Sequence, residues 1–171
     1  MTLSPESAEI PIGAVVGRYR TLRALGRGGM ATVIEVEHLD TGEVRALKLL
    51  RGDLEDREVE ERFRAEFKAL SSLDHPNVLK VFDAGVYDGR AWFVMERLTG
   101  QDLREAIEDW RQLPPAERFV LAEAVLTDVA EALAYIHERG LVHRDITPGN
   151  IRVTEGGAAK LMDFGVVHLP G

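Results

Sequence analysis

The chain has 171 residues, 45% of them hydrophobic and 29% charged, enough apolar content to bury a core over most of its length. A net charge of −8 argues against general nucleic-acid binding, and the absence of cysteine excludes disulfides and thiolate metal sites. No apolar run approaches membrane-spanning length, and MTLSPESAEIP lacks the basic start and apolar middle of a signal peptide, so a cytoplasmic protein is expected.

Residues 1–13 are polar, proline-bearing and without a period, and are expected to form a flexible tail. Three strands are predicted next, over Tyr19 to Leu25, Thr32 to His38 and Val44 to Leu50, with hairpin-turn residues in LDTGEV between the last two. From 53 to 72 the period becomes helical. Val59, Phe63, Phe67 and Leu70 fall on one stripe, and Glu58–Arg62 and Glu60–Arg64 are i,i+4 pairs. Two more strands follow, Val78 to Ala84 and Ala91 to Arg97, joined by the turn YDGR. A short helix at about 102 to 111 ends near Pro114–Pro115, and a long apolar-rich helix then runs to about Arg139, with Gly140 as its stop. IRV and AKLM, split by TEGG, predict a small hairpin. Strands around one helix, followed by helices, predict a sheet lobe and then a helical lobe.

Five features carry chemistry. LGRGGMATV, at 25 to 33, is a glycine-rich strand turn; such backbone passes close to phosphates, although a flexible hairpin reads the same way. Lys48 shares a strand face with Val44, Ala46 and Leu50, so it pairs with something or snorkels to the edge. Glu66 stands between Phe63 and Leu70 on the buried stripe or at its border, and Lys48 is a candidate cation for it. LVHRDITPGNIRV, at 141 to 153, frames Asp145 and Asn150 with apolar residues, and in MDFGV Asp163 follows a short strand. Asn150 and Asp163 offer hard oxygen ligands suited to magnesium, and Asp145 is placed to act as a base or to orient a hydroxyl. A loop cap is the competing reading of each of these residues alone; the ordered set argues against coincidence.

The series GRGGMATV, RALK, Glu66 in a helix, HRDITPGN and DFG resembles the eukaryotic-like (Hanks-type) protein serine/threonine kinases, bacterial ones above all, over about residues 17 to 168. LDHPNVLKVFDAG, at 73 to 85, adds to the likeness. The resemblance implies an α+β, protein-kinase-like fold: a five-stranded antiparallel N-lobe with one helix and hinge over 14–98, then the start of a mainly helical, incomplete C-lobe over 99–171. It implies ATP and Mg2+ as cofactors and a protein as substrate. Gly26, Gly28 and Gly29 would fold over the phosphates, with Val33 and Ala46 also at the nucleotide. Lys48 would contact the α and β phosphates and pair with Glu66. Met95 would be the gatekeeper, the backbone of Glu96 to Leu98 the adenine hinge, and Asp102 a ribose contact. Asp145 would accept the proton of a substrate hydroxyl, Asn150 and Asp163 would hold magnesium, and Leu70, Val81, His143 and Phe164 match a hydrophobic column coupling the lobes.

The sequence departs from that pattern at four places. Ala31 stands for the third glycine. Thr147 stands for a lysine that helps neutralise the transferring phosphoryl group, and its hydroxyl is a partial substitute. Arg152 falls where an apolar residue lies beneath the adenine. The chain ends at Gly171, shortly after DFG, so the activation segment and later helices have no counterpart. On that basis the long helix is expected to leave apolar surface uncovered (Phe119, Val125, Val129 or their neighbours), a place for self-association or a partner. Two further readings stand beside the kinase: a truncated pseudokinase acting as a nucleotide- or partner-binding module, and a kinase-fold enzyme for small molecules. Arg144, before the catalytic aspartate, speaks against the last.

Overall fold

The computed structural model describes residues 10–28, 31–53 and 57–162. The chain divides into two compact units, one of Met1–Leu54 and Asp83–Arg97, the other of Glu55–Phe82 and Leu98–Gly171.

The sheet is built from β1 (Val15–Val16), β2 (Tyr19–Arg27), β3 (Ala31–His38), β4 (Val44–Asp53), β5 (Val81–Tyr87) and β6 (Arg90–Met95), in the spatial order β1-β2-β3-β4-β6-β5. The predicted strands are present, with ends shifted by a few residues. The registers Ile34↔Leu47↔Val94 and Leu49↔Trp92 put the apolar residues of three strands on one face. There they bury with Ile10, Val16, Tyr19 and Val36. The period of two then places Val33, Glu35, Ala46, Lys48, Phe93 and Met95 together on the other face.

Five strands were expected and the sheet has six, because the segment before Tyr19 is not loose throughout. Ile10 is buried. The Thr21 hydroxyl donates to the Pro11 carbonyl at 2.6 Å, and the Thr21 N–H donates to the Ala14 carbonyl at 2.9 Å. The end of the expected tail, from Ile10 to Gly13, is thus fastened along β2. A segment this short has no period to read; its apolar Ile10 and Val16 gain by covering the sheet.

The second unit holds the helices α1 (Arg57–Ser71), α2 (Leu103–Trp110) and α3 (Pro115–Glu138). It also holds a three-stranded sheet of β7 (Gln101–Asp102), β8 (Ile151–Val153) and β9 (Ala159–Leu161). Pro115 opens α3 with its φ already suited to a helix. Val125, Val129, Ala132 and Ile136 follow at spacings of four, three and four, so they line one stripe. That stripe packs with Leu103, Ala106, Ile151, Ala159 and Leu161 into a single core. Burying one such aliphatic side chain stabilises the fold by about 1.5–3 kcal/mol.

This packing corrects the expectation for α3 in part: apolar surface is uncovered at Phe119 as expected, but not at Val125 and Val129. Val125 and Val129 are buried, whereas Phe119 and Leu126 are 70% and 67% exposed. The helix is apolar on more than one side, so its sequence does not say which side meets the sheet. The expected pairs Glu58–Arg62 and Glu60–Arg64 each include a side chain outside the described residues.

Candidate active site

The loop from Gly140 to Asn150 is held from both ends. Gly140, at φ 73°, takes the left-handed conformation that stops α3, and the Leu141 N–H donates back to the Ile136 carbonyl at 3.0 Å. At the other end Pro148–Asn150 forms one 3-10 turn, closed by Asn150 N–H to the Thr147 carbonyl at 2.9 Å. Between them Arg144 has φ 69°, a conformation that costs a non-glycine residue about 1 kcal/mol or more. The surrounding bonds keep it there.

His143, 1% exposed, is the centre of those bonds. Its Nδ1 accepts the Asp145 N–H at 3.2 Å, so Nε2 carries the hydrogen and donates to the Met162 carbonyl at 2.6 Å. The Met162 N–H in turn donates to the Asn150 carbonyl at 2.8 Å. One buried imidazole therefore ties the Asp145 backbone to the chain position just before Asp163. Asp163 itself lies outside the described residues, as does Phe164.

Asp145 and Asn150 meet directly. The Asn150 Nδ2 donates to the Asp145 backbone carbonyl at 2.9 Å and to its carboxylate at 2.8 Å. Since the amide nitrogen is the engaged atom, the Asn150 Oδ1 is the one that could serve a cation, an oxygen donor suited to magnesium. The Asp145 side chain is exposed and oriented by a bond that takes no proton from it. Thr147 is exposed and makes no capping bond with its side chain.

Strand β9, which Met162 directly follows, is positioned by residues that sequence reasoning missed. The Asp128 carboxylate on α3 accepts the Ala159 N–H at 2.7 Å, and the Asn77 side chain donates to the Ala159 carbonyl at 2.9 Å. Asn77 and Leu79 exchange further backbone bonds with Leu161. A buried asparagine in LDHPNVLK was the available signal.

Asp102 is the N-cap of α2. Its carboxylate accepts the Glu105 N–H at 3.1 Å while the Glu105 side chain accepts the Asp102 N–H, a capping box. Arg104 donates to the same carboxylate at 2.9 Å, and this bond above all holds the Asp102 pKa below the usual carboxylate range. Opposite it on β8, Arg152 donates to the Gly100 carbonyl at 3.1 Å, and its Nε is buried with no partner among the described residues. Gly100 is indispensable to this join. At φ 83°, a Cβ there would lie 2.0 Å from the Val153 carbonyl oxygen.

In the first unit, Gly26 pairs with Val33, and the Gly28 N–H donates to the Ala31 carbonyl at 2.9 Å. A Cβ at Gly26 would touch nothing within 4 Å, and one at Gly28 only the Ala31 carbonyl oxygen at 3.7 Å. Packing among the described residues does not require either glycine. Gly29 lies outside the described residues. Lys48 stands between Val33 and Phe93 on the face opposite the buried cluster, its Nζ 5.7 Å from the Phe93 ring centroid. Ala46 and Met95 pair in the next row and are buried, while Glu96 and Leu98 are partly exposed beyond the end of β6. Glu66 is on α1, in the second unit, and its side chain lies outside the described residues.

The protein kinase domain family matches residues 19–169, and the chain belongs to that family. It is 39% identical over 153 residues to the serine/threonine-protein kinase PrkC of Bacillus subtilis (strain 168), covering 89% of this chain and 23% of that protein. To the serine/threonine-protein kinase pkn2 of Myxococcus xanthus it is 37% identical over 157 residues, covering 90% and 18%. The crystal structure of the Mycobacterium tuberculosis PknI kinase domain is similar at a TM-score of 0.79 and 36% identity, over 95% of this chain and 65% of that one. The fold is therefore the α+β protein kinase fold, and the chain spans about a quarter or less of the length of these two curated relatives. Among the described residues, no helix is long and apolar enough to cross a membrane.

Proposed function

We propose that this chain carries the nucleotide-binding strands and catalytic loop of a serine/threonine protein kinase, which transfers the γ-phosphate of ATP to Ser or Thr hydroxyls of proteins with magnesium. The observation that carries the reading is the Asp145–Asn150 pair, locked by two hydrogen bonds on a loop pinned through His143, in a chain of this family.

In this reading the backbone N–H groups of Gly26, Gly28 and Gly29 cradle the phosphates, which accounts for Gly26 and Gly28, where packing among the described residues does not need a glycine. Val33, Ala46 and Met95 border the base, the backbone of Glu96 to Leu98 bonds its edge, and Asp102 lies at the ribose. Lys48 holds the α and β phosphates and Glu66 pairs with it. Asn150, through Oδ1, and Asp163 hold magnesium, which neutralises phosphate charge when bound. Asp145 orients the substrate hydroxyl and receives its proton. The hydroxyl oxygen bonds to the γ-phosphorus as the bond to the β–γ bridging oxygen breaks, leaving ADP. The exposed Thr147 hydroxyl replaces a lysine's charge and gives weaker help to the transferring group.

The test is calorimetric titration of the 171-residue chain with ADP. Binding that needs magnesium and falls at least about tenfold in Lys48→Met is expected, the loss of one charge-assisted contact. No binding with or without magnesium overturns the proposal. The second reading, a binding module without transfer, is favoured by Arg152, whose guanidinium is spent on the Gly100 carbonyl. Magnesium-ADP binding without any Asp145-dependent transfer of labelled phosphate to protein would decide for it.

A further inference from the structure

Glu35 is an acid inside the apolar run TVIEV, and the structure leaves it only 8% exposed. A carboxylate taken from water needs cations to compensate it. Glu35 has two. Arg23 grips it through both oxygens, Nε to Oε1 at 2.9 Å and a terminal nitrogen to Oε2 at 3.1 Å. The Arg97 Nε meets Oε2 at 2.5 Å. The Arg23 hydrogen bond first, and then the charges of both arginines against the cost of burial, hold its pKa below the usual carboxylate range.

Its place in the sheet gives this triad a use. The registers Arg23↔Glu35, Glu35↔Ala46 and Ala46↔Met95 form one cross-strand row. The neighbouring row on the same face is Val33, Lys48 and Phe93, about 7 Å further along β3. The carboxylate therefore sits in the row of Ala46 and Met95, on the face assigned above to the nucleotide. Arg97 comes two residues after Met95, where β6 has ended and the β4 ladder no longer fixes the backbone. Glu35 supplies the missing anchor from β3.

We propose that Glu35 is a positioning residue for purine selection: by clamping Arg97 it fixes the backbone of Glu96 to Leu98 so that its N–H and C=O groups match adenine and reject guanine. The inference rests on the proposed role of that segment in binding the base. A clamp of this kind acts on the base edge and leaves phosphate contacts alone, so its loss changes selectivity before it changes anything else.

The experiment measures dissociation constants for ADP and GDP, both with magnesium, on the full chain and on Arg97→Ala and Glu35→Ala. Arg97→Ala is the safer variant, because Arg97 is the more exposed partner than Glu35 and the Arg23–Glu35 grip survives its removal. Thermal melts confirm that each variant is folded. ADP binding is expected to weaken by about tenfold, the scale of one charge-assisted bond, while GDP binding changes by less than about twofold. Equal weakening for both nucleotides, or no change for either, overturns the inference. A wild-type chain that binds ADP while Arg97→Ala matches it removes only this proposal. A wild type that binds neither nucleotide removes the functional reading and this inference with it.

Discussion

Replacing His143 with alanine removes an imidazole that satisfies two backbone groups at once, the Asp145 N–H at 3.2 Å and the Met162 carbonyl at 2.6 Å. The side chain is 1% exposed and both bonds are partly buried, so each group loses a partner that bulk water replaces only in part. Leaving a buried polar group unpaired costs about 1–3 kcal/mol, and two cost roughly 2–6 kcal/mol. Water entering the vacated ring volume would recover part of that, which puts the net loss at about 3 kcal/mol, a large share of the roughly 5–15 kcal/mol by which a domain is stable. All α-helices among the described residues lie in the second unit, so far-ultraviolet circular dichroism reads the unit that contains His143. With a urea slope of about 2 kcal/mol per molar, the unfolding midpoint falls by roughly 1.5 M. His143→Phe restores volume without the bonds and is expected to recover less than about 1 kcal/mol of the loss. A midpoint for His143→Ala within about 0.3 M of the wild type would refute the reasoning, because it would mean that the two bonds contribute almost nothing.

Asp102→Ala removes the N-cap of α2 and the Arg104 contact, and is expected to lower stability by about 1 kcal/mol in the same unfolding assay. Asp102→Asn keeps a capping oxygen and loses only the charge. The folded pKa of Asp102 lies below its unfolded value, so its contribution is present above about pH 4 and is lost as pH falls through the folded pKa. Urea midpoints measured from pH 6 to pH 2.5 should therefore fall less steeply for Asp102→Asn; parallel curves would count against the ion pair. Gly100→Ala forces a left-handed alanine against the Val153 carbonyl, and a loss of at least about 2 kcal/mol is expected; a neutral result would show that β7 does not depend on this turn. Phe119→Ser with Leu126→Ser changes side chains that are mostly in solvent, and stability should stay within about 0.5 kcal/mol of the wild type.

Most of the fold was legible because its elements announce themselves locally. The alternation in ATVIEVEH and VRALKLL gives strands, and Pro115 and Gly140 bracket a helix. GRGGMATV, Lys48, Asp145, Asn150 and Asp163 stand in the order that resembles the Hanks-type kinases, and that resemblance implies phosphoryl transfer, a chemistry served by glycine backbone, a cation and hard oxygen ligands. The identity of the loop residues was thus a property of the chain itself.

Other matters depend on partners distant in sequence, and no local pattern encodes them. That Val125 and Val129 bury while Phe119 and Leu126 do not was settled by which side of α3 meets β8 and β9. That Ile10 covers the sheet follows from a Thr21 hydroxyl that holds the neighbouring Pro11 carbonyl, ten residues away. Asp128 reads as one more surface acid until Ala159 is seen donating to it. Glu35 reads as a misplaced charge in a strand until two arginines, one before it and one far after it, are brought to the same carboxylate. Sequence determines which groups a segment offers and how they repeat along it. Only the tertiary structure decides which buried polar group finds its partner, because burial is what makes an unpaired group costly and a paired one decisive.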